Sequence, residues 1–573
     1  MPATDRYSPL PSDEHDDTAS SPAEPTPHAP LLPGRQKSAS RIKSRCVLEV
    51  SPDGTYHYAY GPSGLAGLFH NRYALLCAMV ASIGGLSFGY DQGVVRPEQA
   101  HVSLSQYADV PPQIANILLG ALIGALGAGV LADRYSRRHS IFIACLIFLI
   151  GSLFQCLARS LFDLFVGRAV GGVAVGALSM LSPLYISEVS PPELRGSLMA
   201  LEQFSIVLGC VLGFWTGFAT RNIPGSPAWR IPLGVQIIPG IFLGAGCMLL
   251  PPSPRLLVLL GEHDKALASL RKLRGTEAEG NDALVEIEFT EMRVEAALLQ
   301  RTAPESNSAD ATSSGYATSS GYGASSKGYN SILKGYNTLF EKKYRERTMI
   351  GIMTMFFQQW VGINALLYYG PTLVASIGLQ GEEMTLLVSG GIGVAQFVAV
   401  LPAIAYIDRW GRRPLLRGGA VVMGCSHLLI AMLVKEFSAD WEDHKGAAWL
   451  AVGAIYVFTM AYGISIGPIG WVLPSEVFPL SVRSKGVAIS TASVWLNNCA
   501  STFALFATAS FAAYMWATYR VPETSGVALE EIGAMFSHGG NLELEEAALR
   551  QQIEGDMGLP DVVRRAAAGL NES

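Results

Sequence analysis

The stretch Ala132-Asp-Arg-Tyr-Ser-Arg-Arg138 decides the fold, because it returns as Ile407-Asp-Arg-Trp-Gly-Arg-Arg413 in the second half of the chain. Each copy follows an apolar run of roughly 20 residues, the length that crosses about 30 Å of hydrocarbon. The arginines alone would fit a generic anchor on the positively charged side of a membrane. An anchor does not explain the matched aspartates, Asp133 and Asp408, which indicate an internal duplication.

A second motif repeats in the same order. Ser187-Glu-Val-Ser-Pro191 corresponds to Ser475-Glu-Val-Phe-Pro479, and an arginine follows each glutamate by seven positions. Acids and bases at helix ends can form salt bridges between two halves in one conformation and release them in another. We therefore predict a transporter of two similar halves with its substrate site between them. The predicted gate consists of Asp133, Arg137, Glu188, Arg195, Asp408, Arg412, Glu476 and Arg483.

The composition favours a membrane protein. Half of the 573 residues are hydrophobic and 15% are charged, and the mean hydropathy is +0.30. A water-soluble protein of this size would struggle to bury that apolar excess. The eight cysteines have no C-x-x-C or metal-ligand spacing. Because no nucleophile–base set or phosphate loop is evident, we expect no enzyme, no metal, no cofactor and no nucleic-acid partner.

Apolar runs divide the chain into two sets, separated by a long polar interval. Together they predict an all-α integral membrane protein of about 12 spans, in contact with the lipid bilayer. The runs lie near 73–95, 114–132, 140–158, 165–187, 200–219, 231–250, 349–371, 384–407, 415–434, 448–473 and 487–519.

The regions between and around these runs differ in character. The first region is rich in Pro and Ser and is expected to be disordered. The central interval begins with a predicted short helix (Gly261–Gly275) and an acidic helical stretch, and continues into a Gly/Ser/Tyr-rich linker. The predicted regions are a tail (1–68), a helix bundle (69–255), the interval (256–346), a second bundle (347–524) and a second tail (525–573).

Lysines and arginines indicate the orientation. They are concentrated in the loops that follow the even-numbered runs, and such loops face the cytoplasm. The central interval and both termini are therefore expected to be cytoplasmic, in a protein of the plasma membrane.

Four further motifs indicate a family. Gly84-Gly-Leu-Ser-Phe-Gly-Tyr-Asp-Gln-Gly93, Phe357-Gln-Gln-Trp-Val-Gly-Ile-Asn364, Gly467-Pro-Ile-Gly-Trp471 and Pro522-Glu-Thr524 resemble the first-, seventh-, tenth- and twelfth-helix motifs of the sugar porter family of the major facilitator superfamily. The resemblance covers residues 73 to about 533. It implies two pseudo-symmetric six-helix bundles that carry a hexose or pentose by alternating access, as in fungal-type monosaccharide transporters.

Two charges stand out inside the apolar runs, where an unpartnered charge is costly. They are Asp91 in the first span and Arg168 in the fourth. The resemblance implies that Asp91 exchanges a coupled proton as its contact with Arg168 forms and breaks. A fixed structural ion pair is the alternative. Some uniporters of the family also carry an acid at this place, so facilitated diffusion stays open, as does a non-transporting sugar sensor.

A sugar site needs amides that donate and accept hydrogen bonds, and an aromatic face for the C–H surface of the ring. A single Gln or Asn could equally make an interhelical hydrogen bond. Gln358 and Asn364 are six positions apart, so both can contribute only with a break at Gly362 or a wide pocket. Gln396 stands where the family commonly has Asn, which leaves the sugar open. By resemblance, the sugar contacts are Gln203, Gln358, Gln359, Asn364, Gln396, Trp471 and Asn498.

Spans 1, 11 and 12 look shortened. The first run ends abruptly at Arg96-Pro97. The run 487–519 would be about 50 Å long as one helix, too long for one span and too short for two with a turn. One long helix would leave the C-terminus outside the cell. Two half-length helices would return Pro522-Glu-Thr524 to the cytoplasm, where it belongs by resemblance.

Overall fold

The computed structural model describes residues 47–50, 56–94, 111–275, 281–302, 335–364, 382–437, 441, 443–497, 503–525 and 541–572. Short 3-10 turns at Pro192–Leu194 and Thr338–Phe340 accompany the helices. The elements in chain order are β1 (Val47–Val50), β2 (Tyr56–Ala59), α1 (Leu65–His70), α2 (Arg72–Val94), α3 (Pro111–Arg134), α4 (Arg137–Leu157), α5 (Leu161–Val189), α6 (Arg195–Thr220), α7 (Pro227–Val235), α8 (Ile237–Leu249), α9 (Pro254–Leu259), α10 (His263–Arg274), α11 (Asn281–Thr302), α12 (Lys342–Trp360), α13 (Glu382–Trp410), α14 (Arg412–Phe437), α15 (Lys445–Ile464), α16 (Ile466–Val477), α17 (Arg483–Leu496), α18 (Phe503–Tyr519), α19 (Asn541–Asp556) and α20 (Leu559–Glu572).

Nine helical segments in the described part of the chain are long and apolar enough to cross a bilayer. They are α2, α3, α4, α5, α6, the α7–α8 pair, α13, α14 and the α15–α16 pair. Helices α12, α17 and α18 occupy the places of the seventh, eleventh and twelfth spans. Large apolar side chains such as Leu119, Ile123 and Phe242 are more than half exposed at 58%, 58% and 66%. A surface of this kind needs lipid or another apolar partner to cover it.

Helix packing repeats between the two halves. In the first half α2 packs against α6, α3 against α5, and α4 against both α5 and α8. The equivalent pairs in the second half are α12 with α17, α13 with α15, and α14 with both α15 and α18. The halves meet along α3 with α17 and along α6 with α13. The sequence duplication is therefore a duplication of packing, and the predicted fold of two similar bundles is confirmed.

Two breaks near the centre of the second half have local causes. Helix α15 ends before Ser465, whose φ of −111° and ψ of −98° leave the helical region. Pro468 follows, and its ring would clash with the carbonyl of the residue four positions earlier in a continuous helix. Helix α12 ends at Trp360, and Gly362 has a φ of +94°, a backbone conformation that favours glycine. Of the two alternatives for Gln358 and Asn364, the break at Gly362 is present.

The three spans expected to be short differ from one another. Helix α2 has 23 residues, about 34 Å, which is ample for a crossing. The expected shortening of the first span is therefore corrected, and Arg96-Pro97 lies outside the described residues. Helices α17 and α18 are short, with 14 and 17 residues. Ser484 at the start of α17 and Glu523 just after α18 lie at the same end of the bundle, so the single-helix alternative for 487–519 is wrong.

Segments outside the spans fold together at one end of the bundle. Helices α9, α10 and α11 pack together, α19 packs against α11, and α20 packs against α11 and β1. Their shared apolar cluster includes Leu270, Ile287, Leu480 and Val563. We call β1, α9, α10, α11, α19 and α20 the end module. The predicted helix Gly261–Gly275 is present as α10, and the acidic helical stretch is α11.

The first tail is not disordered throughout, contrary to expectation. Strands β1 and β2 pair antiparallel, with Val47 opposite Ala59 and Val50 opposite Tyr56. Valine and tyrosine are strand-forming residues that pack well on a half-buried surface. The polar average of 1–68 concealed this short segment, because most of that composition comes from residues before 47, which lie outside the described residues.

The close approach of α3 and α5 yields a test of the packing. A Cβ placed on Gly176 would overlap the carbonyl oxygen of Ala121, whereas a Cβ on Gly127 of α3 would meet nothing within 4 Å. We expect Gly176→Ala to push these helices apart and to lower the free energy of unfolding by about 1–3 kcal/mol. Gly127→Ala, the matched control, should not lower it. Thermal unfolding of the detergent-purified protein measures both, and equal melting temperatures would contradict this packing.

Candidate functional site

Arg137, at the start of α4, forms a buried ion pair with Glu188 near the end of α5. Arg137 Nη2 lies 2.9 Å from Glu188 Oε1, and Arg137 Nε donates to both carboxylate oxygens at 3.1 and 3.2 Å. Arg137 Nη1 donates to the carbonyl of Ala132 at 2.6 Å. Both side chains are 1% exposed. Because removal of either partner would leave a buried charge unpaired, this contact fixes α4 to α5.

The second half repeats this arrangement. Arg412, at the start of α14, lies 2.8 Å from Glu476 of α16 and 3.0 Å from Asp408 of α13. Its Nη1 donates to the carbonyl of Ile407 at 3.4 Å. The hydroxyl of Thr524 adds a 2.6 Å hydrogen bond to Glu476. The duplicated motifs therefore build the same buried cluster twice, and we call the end of the bundle that carries both clusters the charged end.

Asp408 reaches across from the second half to the first. It accepts hydrogen bonds from the backbone N–H groups of Gly196 and Ser197 at 3.0 and 2.8 Å, and from the Ser197 hydroxyl at 2.7 Å. These N–H groups belong to the first turn of α6, where helix N–H groups are free and the helix dipole favours a negative charge. The contact joins the two halves at the charged end.

Asp133 of the first half makes the equivalent contact with the second half. It lies 3.9 Å from Lys485 in the first turn of α17. Asp133 Oδ1 also lies 3.7 Å from Arg137 Nη1, and Arg137 Nη2 donates to the Ser484 hydroxyl at 3.1 Å. The arrangement of these residues differs from the predicted gate in one respect. The Arg–Glu pairs lie within one half each, and the two motif aspartates carry contacts between the halves.

The remaining predicted gate residues lie in the same layer. Arg195 and Arg483 begin α6 and α17, and they are 1% and 0% exposed. Arg483 Nε donates to the carbonyl of Phe478 at 3.1 Å. Glu523 accepts the backbone N–H groups of Arg412 and Arg413 at 2.8 and 3.0 Å. Glu523 thus caps the start of α14, where its charge is favourable.

Between the two ends, a polar and aromatic contact joins the halves. Trp471 of α16 donates from Nε1 to Oε1 of Gln203 on α6 at 3.0 Å, and the two side chains are 4% and 3% exposed. Phe88 of α2 packs edge-on against Trp471 and against Trp495 of α17, with ring centroids 6.3 and 5.1 Å apart. Trp495 Nε1 lies 3.4 Å from the Ser179 hydroxyl of α5. Two predicted sugar contacts, Gln203 and Trp471, therefore meet directly.

Gln358 of α12 joins this centre through the backbone of the broken tenth span. Its Nε2 donates to the carbonyl of Gly467 at 2.9 Å, and a Cβ on Gly470 would overlap its amide group. The side chain is 1% exposed, and its Oε1 has no hydrogen-bond donor among the described residues. A buried acceptor without a donor is unfavourable unless a ligand or water supplies one.

The other predicted sugar contacts are more dispersed. Gln359 and Asn364 hydrogen-bond to each other across the break at Gly362. Trp360 donates to Asn497 Oδ1 at 3.1 Å, which ties α12 to the end of α17. Gln396 is 8% exposed on α13, in the packing of that helix against α15. Asn498 lies outside the described residues.

Asp91 and Arg168, the predicted coupling pair, lie on α2 and α5, which pack together. Each is 4% exposed, and the charge of Arg168 acts on Asp91. Burial strengthens the interaction between these opposite charges because little water screens them. The two residues therefore lie on adjacent helices of the first half, near enough for their charges to interact.

Glu202, beside Gln203, is a buried acid that the sequence analysis missed. It is 1% exposed, and neither carboxylate oxygen has a hydrogen-bond partner among the described residues. A Cβ on Gly85 of α2 would lie 2.7 Å from its Oε1, so the acid faces the α2–α6 contact. The signal was present, because an acid in the apolar run 200–219 is as costly as Asp91 in its run.

Comparison with known proteins identifies the family of the chain. Residues 77–536 match the family model described as "Sugar (and other) transporter". The chain belongs to the sugar transporter family. It is 31% identical over 501 residues to the low-affinity glucose transporter HXT1 of Saccharomyces cerevisiae, an alignment that covers 81% of this chain and 82% of HXT1.

Solved structures confirm the major facilitator fold of this multi-pass membrane transporter. The proton:xylose symporter XylE bound to 6-bromo-6-deoxy-D-glucose is 25% identical, with a TM-score of 0.66, and the match covers 81% of this chain and 99% of XylE. The inward-open form of XylE from E. coli is 26% identical and gives a TM-score of 0.54, with coverage of 81% and 100%. The chain resembles the sugar-analogue-bound form more than the inward-open form.

The buried ion pair yields a stability prediction. Glu188→Gln should lower the free energy of unfolding by about 3–5 kcal/mol, because it leaves the charge of Arg137 without its carboxylate. Glu262→Gln is the matched control, since Glu262 pairs with Lys265 at 3.1 Å but the two side chains are 43% and 71% exposed. Its loss should cost about 0–1 kcal/mol. Chemical or thermal unfolding compares the two variants, and equal losses would contradict a special role of the buried pair.

Proposed function

We propose that this chain transports a monosaccharide across the plasma membrane together with a proton, by alternating access between its two halves. The observation that carries this proposal is the Gln203–Trp471 hydrogen bond between the halves, with Gln358 and its free acceptor beside it. The similarity to a glucose transporter and to a proton:xylose symporter supports a sugar as the substrate.

The chemistry of the centre suits an uncharged ring rich in hydroxyls. Gln203 and Gln358 supply amide groups that can both donate and accept, and Trp471 offers a flat apolar face for C–H groups. A sugar hydroxyl could donate to Gln358 Oε1 without breaking its existing bond to Gly467. Because a sugar carries no charge, binding requires no buried counterion at this place.

The buried pair Asp91 and Arg168 supports proton coupling. A proton taken up by Asp91 removes its attraction to Arg168, and release of the proton restores that attraction. If the two conformations of the protein differ in the distance between α2 and α5 at this level, the protonation state of Asp91 biases one of them. The proton gradient would then drive accumulation of the sugar.

The contacts at the charged end suggest how the halves separate. The Arg137–Glu188 and Arg412–Glu476 pairs lie within one half each, so they can persist while the halves separate at this end. The contacts of Asp133 and Asp408 with the other half, and the hydrogen bond of Arg137 to Ser484, must break. We propose that this end and both termini face the cytoplasm, in agreement with the arginine-rich loops after the even-numbered spans.

Coupling is tested at Asp91. Asp91→Asn should abolish accumulation of labelled sugar against a gradient but leave exchange or weak downhill flux, because an amide cannot cycle a proton. Asp264→Asn, in the exposed first turn of α10, controls for the loss of an acid and should accumulate normally. Uptake with and without a protonophore in a transport-deficient host is the measurement. Concentrative uptake by Asp91→Asn would refute coupling through this residue, and wild-type uptake that ignores the protonophore would favour a uniporter.

The sugar site is tested at Gln358. Gln358→Ala should weaken sugar binding by about 1–3 kcal/mol, because a buried hydrogen-bonding partner of the ligand is lost. Gln155→Ala is a close control, since Gln155 is 2% exposed and also donates to one backbone carbonyl, Gly167 at 3.3 Å. It lies between α4 and α5, away from the contact between the halves. Binding to purified protein is compared with wild type, and equal affinities of the two variants would exclude Gln358 from the site.

A further inference from the structure

A segment that precedes the first span touches both halves of the transporter at the charged end. It comprises Tyr56–His70, and we call it the strap. It begins with β2, continues through a short loop at Tyr60–Gly64 and ends with α1. Neither the matched family region, which begins at residue 77, nor the duplicated motifs include it. Its contacts fall into three groups, with the first half, with the end module and with the second half.

The strap is bound to the first half by a hydrogen bond and by close packing. The backbone N–H of Tyr60 donates to Glu193 Oε1 at 2.8 Å, and Glu193 belongs to the 3-10 turn between α5 and α6. Gly67 of α1 packs so closely that a Cβ there would lie 2.6 Å from Leu194 Cδ2. These contacts anchor the strap just before the first turn of α6, which also holds the gate contact to Asp408.

The end module holds the strap through three tyrosine hydroxyls. Tyr56 and Tyr58 donate to the two oxygens of Glu291 at 2.8 Å each, and Tyr60 donates to Glu288 Oε2 at 2.8 Å. Hydrogen bonds to a charged acceptor are stronger than those between neutral groups. Tyr60 is 3% exposed, so its bond to Glu288 is shielded from water.

Glu288 is itself tied to the first half. Arg274 Nη2 lies 2.6 Å from Glu288 Oε1, and Arg274 Nη1 donates to the carbonyl of Val189 at the end of α5 at 2.9 Å. Burial acts to raise the pKa of Glu288, but the charge and hydrogen bonds of Arg274 outweigh it and hold that pKa below its usual range. The carboxylate therefore stays charged at neutral pH and keeps accepting from Tyr60.

The strap meets the second half on the last turns of α13. Arg409 Nη2 donates to the carbonyl of Ser63 at 3.2 Å. Gly64 has a φ of +78°, and a Cβ there would lie 2.6 Å from the carbonyl oxygen of Ala405. Only glycine fits this approach, because both its backbone angle and its distance from α13 exclude a side chain. Asp408, which carries the gate contact, lies on the same stretch of helix.

The two sets of contacts differ in strength. Those with the first half and the end module include four hydrogen bonds to carboxylates, one of them the buried bond of Tyr60 to Glu288, whereas those with α13 consist of one exposed hydrogen bond and van der Waals packing. Separation of the halves must break one set, and the contacts with α13 are the weaker. We propose that the strap is an intramolecular clip that stays on the first half, holds α13 against it when the charged end is closed, and releases Ala405 and Arg409 when that end opens.

The clip would set how often the charged end opens, independently of which sugar is carried. Removing its contacts with α13 should raise the population of the open form without altering the central site. The proposal rests on the proposed function only in taking opening of the charged end as part of the transport cycle. An assay of opening that needs neither sugar nor a proton gradient therefore separates the two.

The test uses a buried thiol at the gate of the full-length, detergent-purified protein. In a background whose native cysteines are replaced, Ser484→Cys places a thiol at a position that is 3% exposed between the halves. Alkylation by N-ethylmaleimide, followed by mass spectrometry, reports the open population when opening and closing are fast compared with labelling.

Two variants should release the clip, and a third is a control with the same glycine-to-alanine change at a position outside the strap. Gly64→Ala should label about tenfold faster than the parent, because its Cβ forces the strap away from Ala405. Arg409→Ala should label about threefold faster, the factor that corresponds to one modest hydrogen bond. Gly261→Ala is the control, because Gly261 has the same φ of +78° but an added Cβ would meet nothing within 4 Å. Its labelling rate should stay within about twofold of the parent rate.

The outcome decides the proposal even if one variant folds poorly. Size-exclusion profiles select the variants that are folded, and Arg409→Ala involves no backbone strain. Faster labelling of Gly64→Ala or Arg409→Ala than of Gly261→Ala supports the clip. If every folded clip variant labels no faster than Gly261→Ala, the proposal is overturned, and this holds whether or not Asp91 couples transport to protons.

Discussion

The buried arginine–glutamate pair, built once in each half, is the constraint on which the rest of the structure depends. Arg137 and Arg412 have almost no exposed surface, so each needs its carboxylate and a backbone carbonyl to offset the loss of water. This requirement fixes the start of one helix against the end of another. It makes each half rigid at the charged end, and it leaves the adjacent aspartates free to contact the other half.

The glutamates and aspartates of the motifs make different contacts because of their positions in the fold. Glu188 and Glu476 each pair with an arginine of their own half, whereas Asp133 and Asp408 also contact the other half. Asp408, which also pairs with Arg412 at 3.0 Å, accepts from the first-turn N–H groups of α6, which have no partner within the helix. Such a contact can break when the helix end moves away, because water can then satisfy both the carboxylate and the N–H groups. A gate made this way avoids exposing an unpaired arginine in the protein interior.

The fold could be predicted from the sequence because the repeated charged motifs and the lengths of the apolar runs both indicate it. It also singled out Gln203, Trp471 and Gln358, which the structure places at the contact between the halves or beside it, since polar groups in apolar runs are rare enough to be informative. It could not find which acids cross between the halves. Asp133 and Glu188 are both motif acids, and only the packing angle of the helices decides which one faces the boundary. Glu202 could have been found from the sequence, because an acid in an apolar run is costly without a partner.

The first tail shows what its composition could not predict. Averages over 1–68 are polar and correctly describe a segment that could not fold alone. The strap does not fold alone, because its tyrosines find carboxylates on α11, more than 200 positions later in the chain. The local composition of the strap therefore cannot predict that it binds carboxylates on α11.

The strap can affect opening of the charged end because the other contacts that close this end are individually weak. The contacts that must break at the charged end are a few hydrogen bonds at helix N-termini and a long Asp133–Lys485 pair at 3.9 Å, and each is worth little once water replaces it. A transporter needs such a small difference between its two states, since a strongly favoured closed end would stop the cycle. A segment that adds one exposed hydrogen bond and one tight backbone contact can therefore shift this balance measurably. If the buried arginine–glutamate pairs joined the two halves, the contacts of the strap would be too weak to change the balance.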